Sequence, residues 1–312
     1  MFKKNILLTV AFFATIFFSC NDEDNKKKAT DSPVNGSIEI SVDESFGPVI
    51  AEQAAMYEAS NPGVKLNLHY KTEAECLKDF FSDSLTRMVI VTRGLTTNEE
   101  RAMNDNLGFF PRWQQIATDA VAVIVNKNST DTFFSLNKLQ DLLSGKIKTD
   151  KNLVFDGLRK TSTVRFIEDS ILKGKTFDTS NVSAVKNSDL LIDYVATHPN
   201  AIGFVGINRI GNPEDAEQLK KLSKVKIALV QCDLCNDKPY ILPTQQSILN
   251  RRYPLVRGLH YLLKENYNGL GSGFGTFMRY ERGQLIFKRA YLGQIMDFNV
   301  RNVNLNENPT KK

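Results

Sequence analysis

Residues 88–92 (MVIVT) and 120–126 (AVAVIVN) are apolar along their whole length instead of at every second position. A strand takes that form when both its faces are covered, as in a parallel sheet with helices above and below. The neighbouring segments suit such a sheet. Residues 37–42 (SIEISV) and 64–70 (VKLNLHY) alternate as strands, while 46–60 and 73–82 carry helical apolar spacing. Asp43, Glu44 and Ser45 precede the first helix, with Ser45 suited to its N-cap and Pro48 to its first turn. Thr97 with Glu100 three residues later has capping-box spacing. Strand, helix, strand, helix in this order predicts an α/β fold.

The pattern resets near residue 118. Strands are expected at 120–126, 153–156, 201–205 and 225–230, and helices at 136–143, 162–172 and 187–197. Residues 253–263 and 274–296 carry mixed signals. Two lobes are expected, one from 37–118 plus 243–305 and the other from 119–242.

The N-terminus constrains location. Lys3 and Lys4 precede an apolar run that ends at Phe18, and Ser19 then stands before Cys20. This is the layout of a secretory signal over residues 1–19. A membrane-spanning helix needs roughly 20 apolar residues, more than this run offers. Phe17-Phe18-Ser19-Cys20 resembles a relaxed lipobox of bacterial lipoproteins, which implies lipidation of Cys20. Cleavage to a freely secreted chain is the alternative. Residues 20–36 are polar and turn-rich and read as a flexible tether. Asp22, Glu23 and Asp24 resemble the surface-export signal of Bacteroidota lipoproteins. The expected location is the cell envelope, on the periplasmic face or on the cell surface of the outer membrane.

Cys232 and Cys235 form a C-x-x-C between a strand and a loop, which reads as a local disulfide in an oxidising envelope, with free thiols as the alternative. Zinc would need two further ligands and none is spaced nearby, so no metal is expected. Cys76 reads as a buried apolar residue. The net charge of +5 falls to about +3 without Lys3 and Lys4. Beyond Lys26, Lys27 and Lys28 there is no basic block, so nucleic-acid binding is not indicated. His69, His198 and His260 form no H-E-x-x-H motif, and G-x-S-x-G and P-loop motifs are absent. Residues 269–275 (GLGSGFG) lack dinucleotide-loop spacing and read as a loop. No enzyme activity and no cofactor are expected.

Several segments in order resemble the phosphate-binding proteins of Pst-type ABC importers, within the periplasmic binding protein-like superfamily. They are Val91-Thr92-Arg93 with Glu99 and Glu100, residues 116–126, residues 139–148 (LQDLLSGKIK), Thr161-Ser162-Thr163, residues 201–206 (AIGFVG), Tyr253-Pro254-Leu255-Val256-Arg257, and Gly283-Gln284 with Ile286 and Gly293. The resemblance implies a two-lobed type II fold, with mixed sheets flanked by helices, two crossing strands and a ligand cleft. It implies capture of a small anion, phosphate above all, by a monomer that serves an ABC permease in the inner membrane. The implied ligand-binding residues are Glu44, Ser45, Phe46, Thr92, Arg93, Thr161, Ser162, Thr163 and Arg165. Oxyanions favour backbone N–H groups, hydroxyls and guanidinium at such places. Each also has a plain structural reading, with Ser45 and Ser162 as N-caps, Arg93 as a surface ion pair and Arg165 as a solvent-facing residue.

The chain departs from the family at two points. Val42-Asp43-Glu44-Ser45 stands where the family has Gly-Ser-Ser-Thr, and carboxylates repel an anion more strongly in a dry cleft. The family's central glycine is missing from Thr161-Ser162-Thr163. A surface lipoprotein that uses the same scaffold for sensing, adhesion or a non-phosphate ligand is the second reading.

Overall fold

The computed structural model describes residues 31–157 and 161–296. The signal sequence, Cys20 and most of the expected tether lie outside the described residues, as does the end of lobe one beyond residue 296. The first elements are β1 (Asn35–Asp43), α1 (Gly47–Ser60), β2 (Gly63–Lys71), α2 (Glu73–Ser82), β3 (Thr86–Val91), α3 (Thr97–Leu107) and β4 (Arg112–Asn126). The middle of the chain forms β5 (Phe133–Phe134), α4 (Leu136–Leu143), β6 (Asn152–Phe155), α5 (Ser162–Ile167), β7 (Val182–Ala184), α6 (Ser188–Thr197) and β8 (Ala201–Gly206). Then follow α7 (Ala216–Leu222), β9 (Val225–Ile227), β10 (Leu229–Gln231), β11 (Tyr240–Ile241), α8 (Gln245–Leu249), β12 (Val256–Leu263), α9 (Leu270–Arg279) and α10 (Glu281–Arg289).

Strand order in the main sheet is β2-β1-β3-β12-β4-β8-β6-β7, with β9 also paired to β4. Strands β1, β2 and β3 are parallel, as the alternation of strands and helices predicts. So are β6, β7 and β8. Strand β12 inserts antiparallel between β3 and β4.

Strand β4 joins the two halves. Its residues 112–120 pair with β12, and its residues 121–126 pair with β8 and β9. The apolar packing divides at the same place. One core gathers Ile38, Ile40, Phe46, Met88, Ile90, Ala117, Leu259 and Phe274. The other gathers Val121, Val123, Phe155, Val164, Phe204, Ile248, Tyr253 and Leu255. On the return, Ile248, Tyr253 and Leu255 pack into the second core and Leu259 into the first. The Tyr253 hydroxyl donates to the Val121 carbonyl at 2.9 Å, which ties the two crossings together.

Three local expectations are corrected. The α3 capping box uses Thr96 and Glu99, one residue before the expected pair. Order begins before Ser37, since Asp31 pairs with Arg87 and β1 starts at Asn35. The glycine-rich run at 269–275 is not a loop, because α9 starts inside it. Leu270 and Phe274 are buried in the first core, and the Glu265 carboxylate accepts from the N–H groups of Gly271 and Ser272. Helical glycine costs about 1 kcal/mol relative to alanine, which burial of two large apolar side chains exceeds.

Phe155 and Phe204 stack in the second core with centroids 4.8 Å apart, both fully buried. Phe155→Ala should lower unfolding stability by about 3–5 kcal/mol. Urea titration followed by circular dichroism measures this.

Candidate functional site

Among the described residues, Asp43, Asp119, Asp156 and Arg257 are buried charges near where the two cores meet, whereas buried Glu265 sits apart at the start of α9. Arg257 and Asp119 are register partners on β12 and β4. Arg257 Nε donates to Asp119 Oδ2 at 2.8 Å, with the two side chains 1% and 0% exposed. From that position Arg257 Nη1 reaches Ser162 Oγ at 3.2 Å and Thr163 Oγ1 at 3.5 Å. The guanidinium carbon lies 5.4 Å from the centre of the Phe46 ring. Nη2 has no partner among the described residues.

Asp43 ends β1 and caps the short 3-10 turn Glu44–Phe46, where its Oδ1 accepts from Ser45 N at 3.0 Å. Ser45 is therefore the recipient of a cap, not the cap itself. Its carbonyl accepts from Asn208 Nδ2 at 3.0 Å, a contact that joins the turn after β8 to the loop after β1. A Cβ on Gly206 would stand 2.7 Å from Asn208 Oδ1 and 3.6 Å from Arg257 Nη2, so this position requires the smallest residue. Asp156, at the end of β6, accepts from Ser188 Oγ at 2.8 Å.

Burial, reinforced by the charge of Glu73, pushes the Asp43 carboxyl up to about 6 against the pull of Arg257. Burial also pushes Asp156 up to about 6, against the Ser188 hydrogen bond and Arg257. Desolvation disfavours the charged form of a carboxyl, and neither group has a close cation of its own.

A second cluster lies beside the first. Glu73 opens α2 and is 2% exposed. Its Oε1 accepts from Thr92 N at 2.8 Å and from Thr92 Oγ1 at 2.6 Å. Arg165, on α5, donates through Nε to Glu73 Oε2 at 2.5 Å and through Nη2 to Thr92 Oγ1 at 2.8 Å. Its Nη1 also pairs with Asp169 at 2.9 Å.

Of the expected site residues, the fold brings together Ser45, Phe46, Thr92, Ser162, Thr163 and Arg165. Thr161 stands at the edge as the N-cap of α5, with its side chain accepting from Val164 N. Glu44 is turned outward and lines a hollow of about 380 Å³ with Tyr70, Lys71 and Lys78. Arg93 is turned aside and grips Glu99 through two 2.8 Å bonds that hold the Glu99 carboxyl down to about 2. The capping box explains this, since Glu99 is fixed at the start of α3 within reach of Arg93. Neither Glu44 nor Arg93 joins the cluster.

Sequence reasoning missed Arg257, Asp119, Glu73, Asp156 and Asn208. A usable signal was present for two of them. Asp119 directly precedes the apolar run at 120–126 and Arg257 stands in the mainly apolar β12, and a charge at such a place is buried and must be paired. Cys232 and Cys235 form a disulfide with Cα atoms 5.5 Å apart, and Cys76 is a buried free cysteine. Among the described residues, no group of three or more His, Cys, Asp and Glu could hold a metal ion. No described helix is long and apolar enough to cross a membrane.

With this geometry in place, relatives can be compared. The model of the PBP superfamily domain matches residues 27–281, and the chain belongs to that superfamily. It has the periplasmic binding protein-like fold. A structure described as a phosphate ABC transporter substrate-binding protein from Clostridium perfringens, with phosphate bound, is 21% identical. It aligns over 84% of this chain and all of its own, with a TM-score of 0.66. An ABC-type phosphate transport receptor from Vibrio cholerae is 16% identical over 82% of this chain and 99% of its own, with a TM-score of 0.64. PstS from Borrelia burgdorferi is 18% identical over 84% of this chain and all of its own, with a TM-score of 0.56. No curated protein matches the chain in sequence.

Two outcomes are expected from the buried charges. Arg257→Met should cost about 3–5 kcal/mol, because it leaves Asp119 charged and unpaired in the interior; the additional change Asp119→Asn should recover part of that loss in the same urea titration. The raised carboxyls fix a pH dependence. Between 3.8 and about 6, folded Asp43 and Asp156 keep protons that the unfolded chain has released. Their contribution to stability is therefore complete below that window and is lost as pH rises through about 6. Stability should fall from pH 5 to pH 7.5, and Asp43→Asn with Asp156→Asn should flatten the profile.

Proposed function

We propose that this chain is a lipid-anchored solute-binding protein that captures phosphate or a related oxyanion between two lobes and presents it to an ABC permease. The observation that carries the reading is Arg257. It is a buried guanidinium at the junction of the cores, with Ser162 and Thr163 hydroxyls beside it and one N–H-bearing nitrogen, Nη2, unpaired among the described residues. An oxyanion complements a guanidinium flanked by hydroxyls. The Clostridium perfringens relative holds phosphate and shares the fold, which supports phosphate as the ligand.

In this reading the lobes are 37–118 with 243–305 and 119–242, with Ile248, Tyr253 and Leu255 packing onto the core of the second, and they close by hinge motion at the two crossings. Cys20 carries the lipid, the tether expected at 20–36 runs up to the ordered body that starts with Asp31 and β1, and the protein works as an extracytoplasmic monomer. The acidic tract after Cys20 leaves two faces to distinguish, the periplasmic side and the outer surface. A permease partner belongs with the first.

One feature favours a second ligand class. Among the described residues, Asp43 Oδ2, Asp119 Oδ1, Asp156 Oδ1 and Asn208 Oδ1 are buried without partners, beside the unpartnered donor Arg257 Nη2. So many acceptors suit a ligand that also donates hydrogen bonds, either a protonated oxyanion or an organic molecule with an amino group.

Calorimetry of the full chain in detergent with inorganic phosphate tests the first reading. Binding is expected, and Ser162→Ala and Thr163→Val should each weaken it about tenfold, the value of a hydrogen bond to a charged group. A folded chain that shows no heat with millimolar phosphate would rule this reading out and favour the organic ligand. Cys20→Ser should abolish incorporation of labelled fatty acid and release the chain from the membrane fraction.

A further inference from the structure

The donors around Glu73 are those an oxyanion would use: the Thr92 backbone N–H, the Thr92 hydroxyl and the Arg165 guanidinium. All three are already satisfied by a carboxylate of the chain itself. Glu73 starts a ten-residue helix whose Cys76, Leu77 and Phe80 pack beside β3 in the first half of the molecule. Arg165 belongs to α5, whose Val164 and Ile167 pack in the second core. The ion pair therefore spans the junction of the two halves, between residues 92 positions apart.

We propose that Glu73 is a resident anion. It clasps the two halves through Arg165 and Thr92, and an incoming oxyanion must compete with it for those donors. The competition rests on the phosphate reading; the clasp does not. Glu73 thereby sets the affinity threshold of the site. A weakly charged ligand cannot match a tethered carboxylate, whose effective concentration is high. A doubly charged oxyanion that also engages Arg257 can.

Burial works against the charge of Glu73, yet the Arg165 guanidinium and the Thr92 donors hold its carboxyl below the ordinary value. The resident anion is thus ionised at neutral pH. Asp43 feels that charge, which adds to its own upward shift. Asp169 is the other partner of Arg165 and is 64% exposed, so it keeps the guanidinium in place if Glu73 lets go.

Two readouts on the full chain in detergent test the proposal. Spin labels at Met56→Cys on α1 and Leu190→Cys on α6, both exposed positions, report the separation of the halves by pulsed dipolar spectroscopy. Without added ligand, Glu73→Ala should broaden and lengthen that distance. In calorimetry with inorganic phosphate, Glu73→Ala should bind about tenfold more tightly than the natural chain. Glu73→Gln, which keeps the shape but not the charge, should lie between them. Arg165→Met should open the halves as Glu73→Ala does, yet weaken phosphate binding. An unchanged distance in Glu73→Ala overturns the clasp, and weaker phosphate binding by Glu73→Ala overturns the competition. If no variant binds phosphate while the distance still lengthens, the clasp stands and the phosphate reading fails.

Discussion

The Asp119–Arg257 ion pair is the constraint on which the rest of the site depends. Two charges removed from water cost several kcal/mol each, and mutual attraction offsets this only with good geometry and further hydrogen bonds. Adjacent antiparallel strands supply the geometry, because Arg257 and Asp119 face each other in register. The second half of the molecule supplies the further bonds through Ser162 and Thr163. The same two strands carry the chain between the cores. The pair therefore sits at the crossing, and any relative motion of the halves must take place around it.

Charge balance around that pair decides what the site can accept. Asp43, Glu73, Asp119 and Asp156 lie buried, and among the described residues Arg165 and Arg257 are the guanidiniums that pair with them or act on them. Fully ionised, this set would repel an anion. Two features reduce the repulsion. Asp43 and Asp156 hold protons up to about pH 6 because they are desolvated. Glu73 and Asp119 are neutralised by the two guanidiniums. Protonation and pairing thus offset part of the carboxylate charge buried here. This favours ligands that bring protons of their own.

Much of the fold was legible because burial writes itself into apolar patterns. The continuous runs at 88–92 and 120–126 marked strands covered on both faces, and the reset near 118 marked the change of core. Caps were less legible. Thr96 with Glu99 and Thr97 with Glu100 satisfy the same spacing, and α3 uses the first pair. The glycine-rich start of α9 looked like a loop because local propensity disfavours helix there. Only contacts of Leu270 and Phe274 with distant residues, and Glu265 as an acceptor for the first N–H groups, reverse that preference.

The candidate site divides along the same line. Residue types alone pointed to Ser45, Thr92, Ser162, Thr163 and Arg165, because hydroxyls and arginines at element ends announce themselves in sequence. They could not distinguish Arg93 from Arg257. Arg93 is captured by a carboxylate six residues away. Arg257 is held by a partner 138 positions away on a neighbouring strand. By itself the sequence determined the alternation of strands and helices and the change of core near residue 118, both of which rest on local patterns of apolarity. Tertiary structure alone decided which charges face each other. The free energy of a buried charge depends on neighbours that only the completed sheet brings within 3 Å, as the 2.8 Å contact between Arg257 and Asp119 shows.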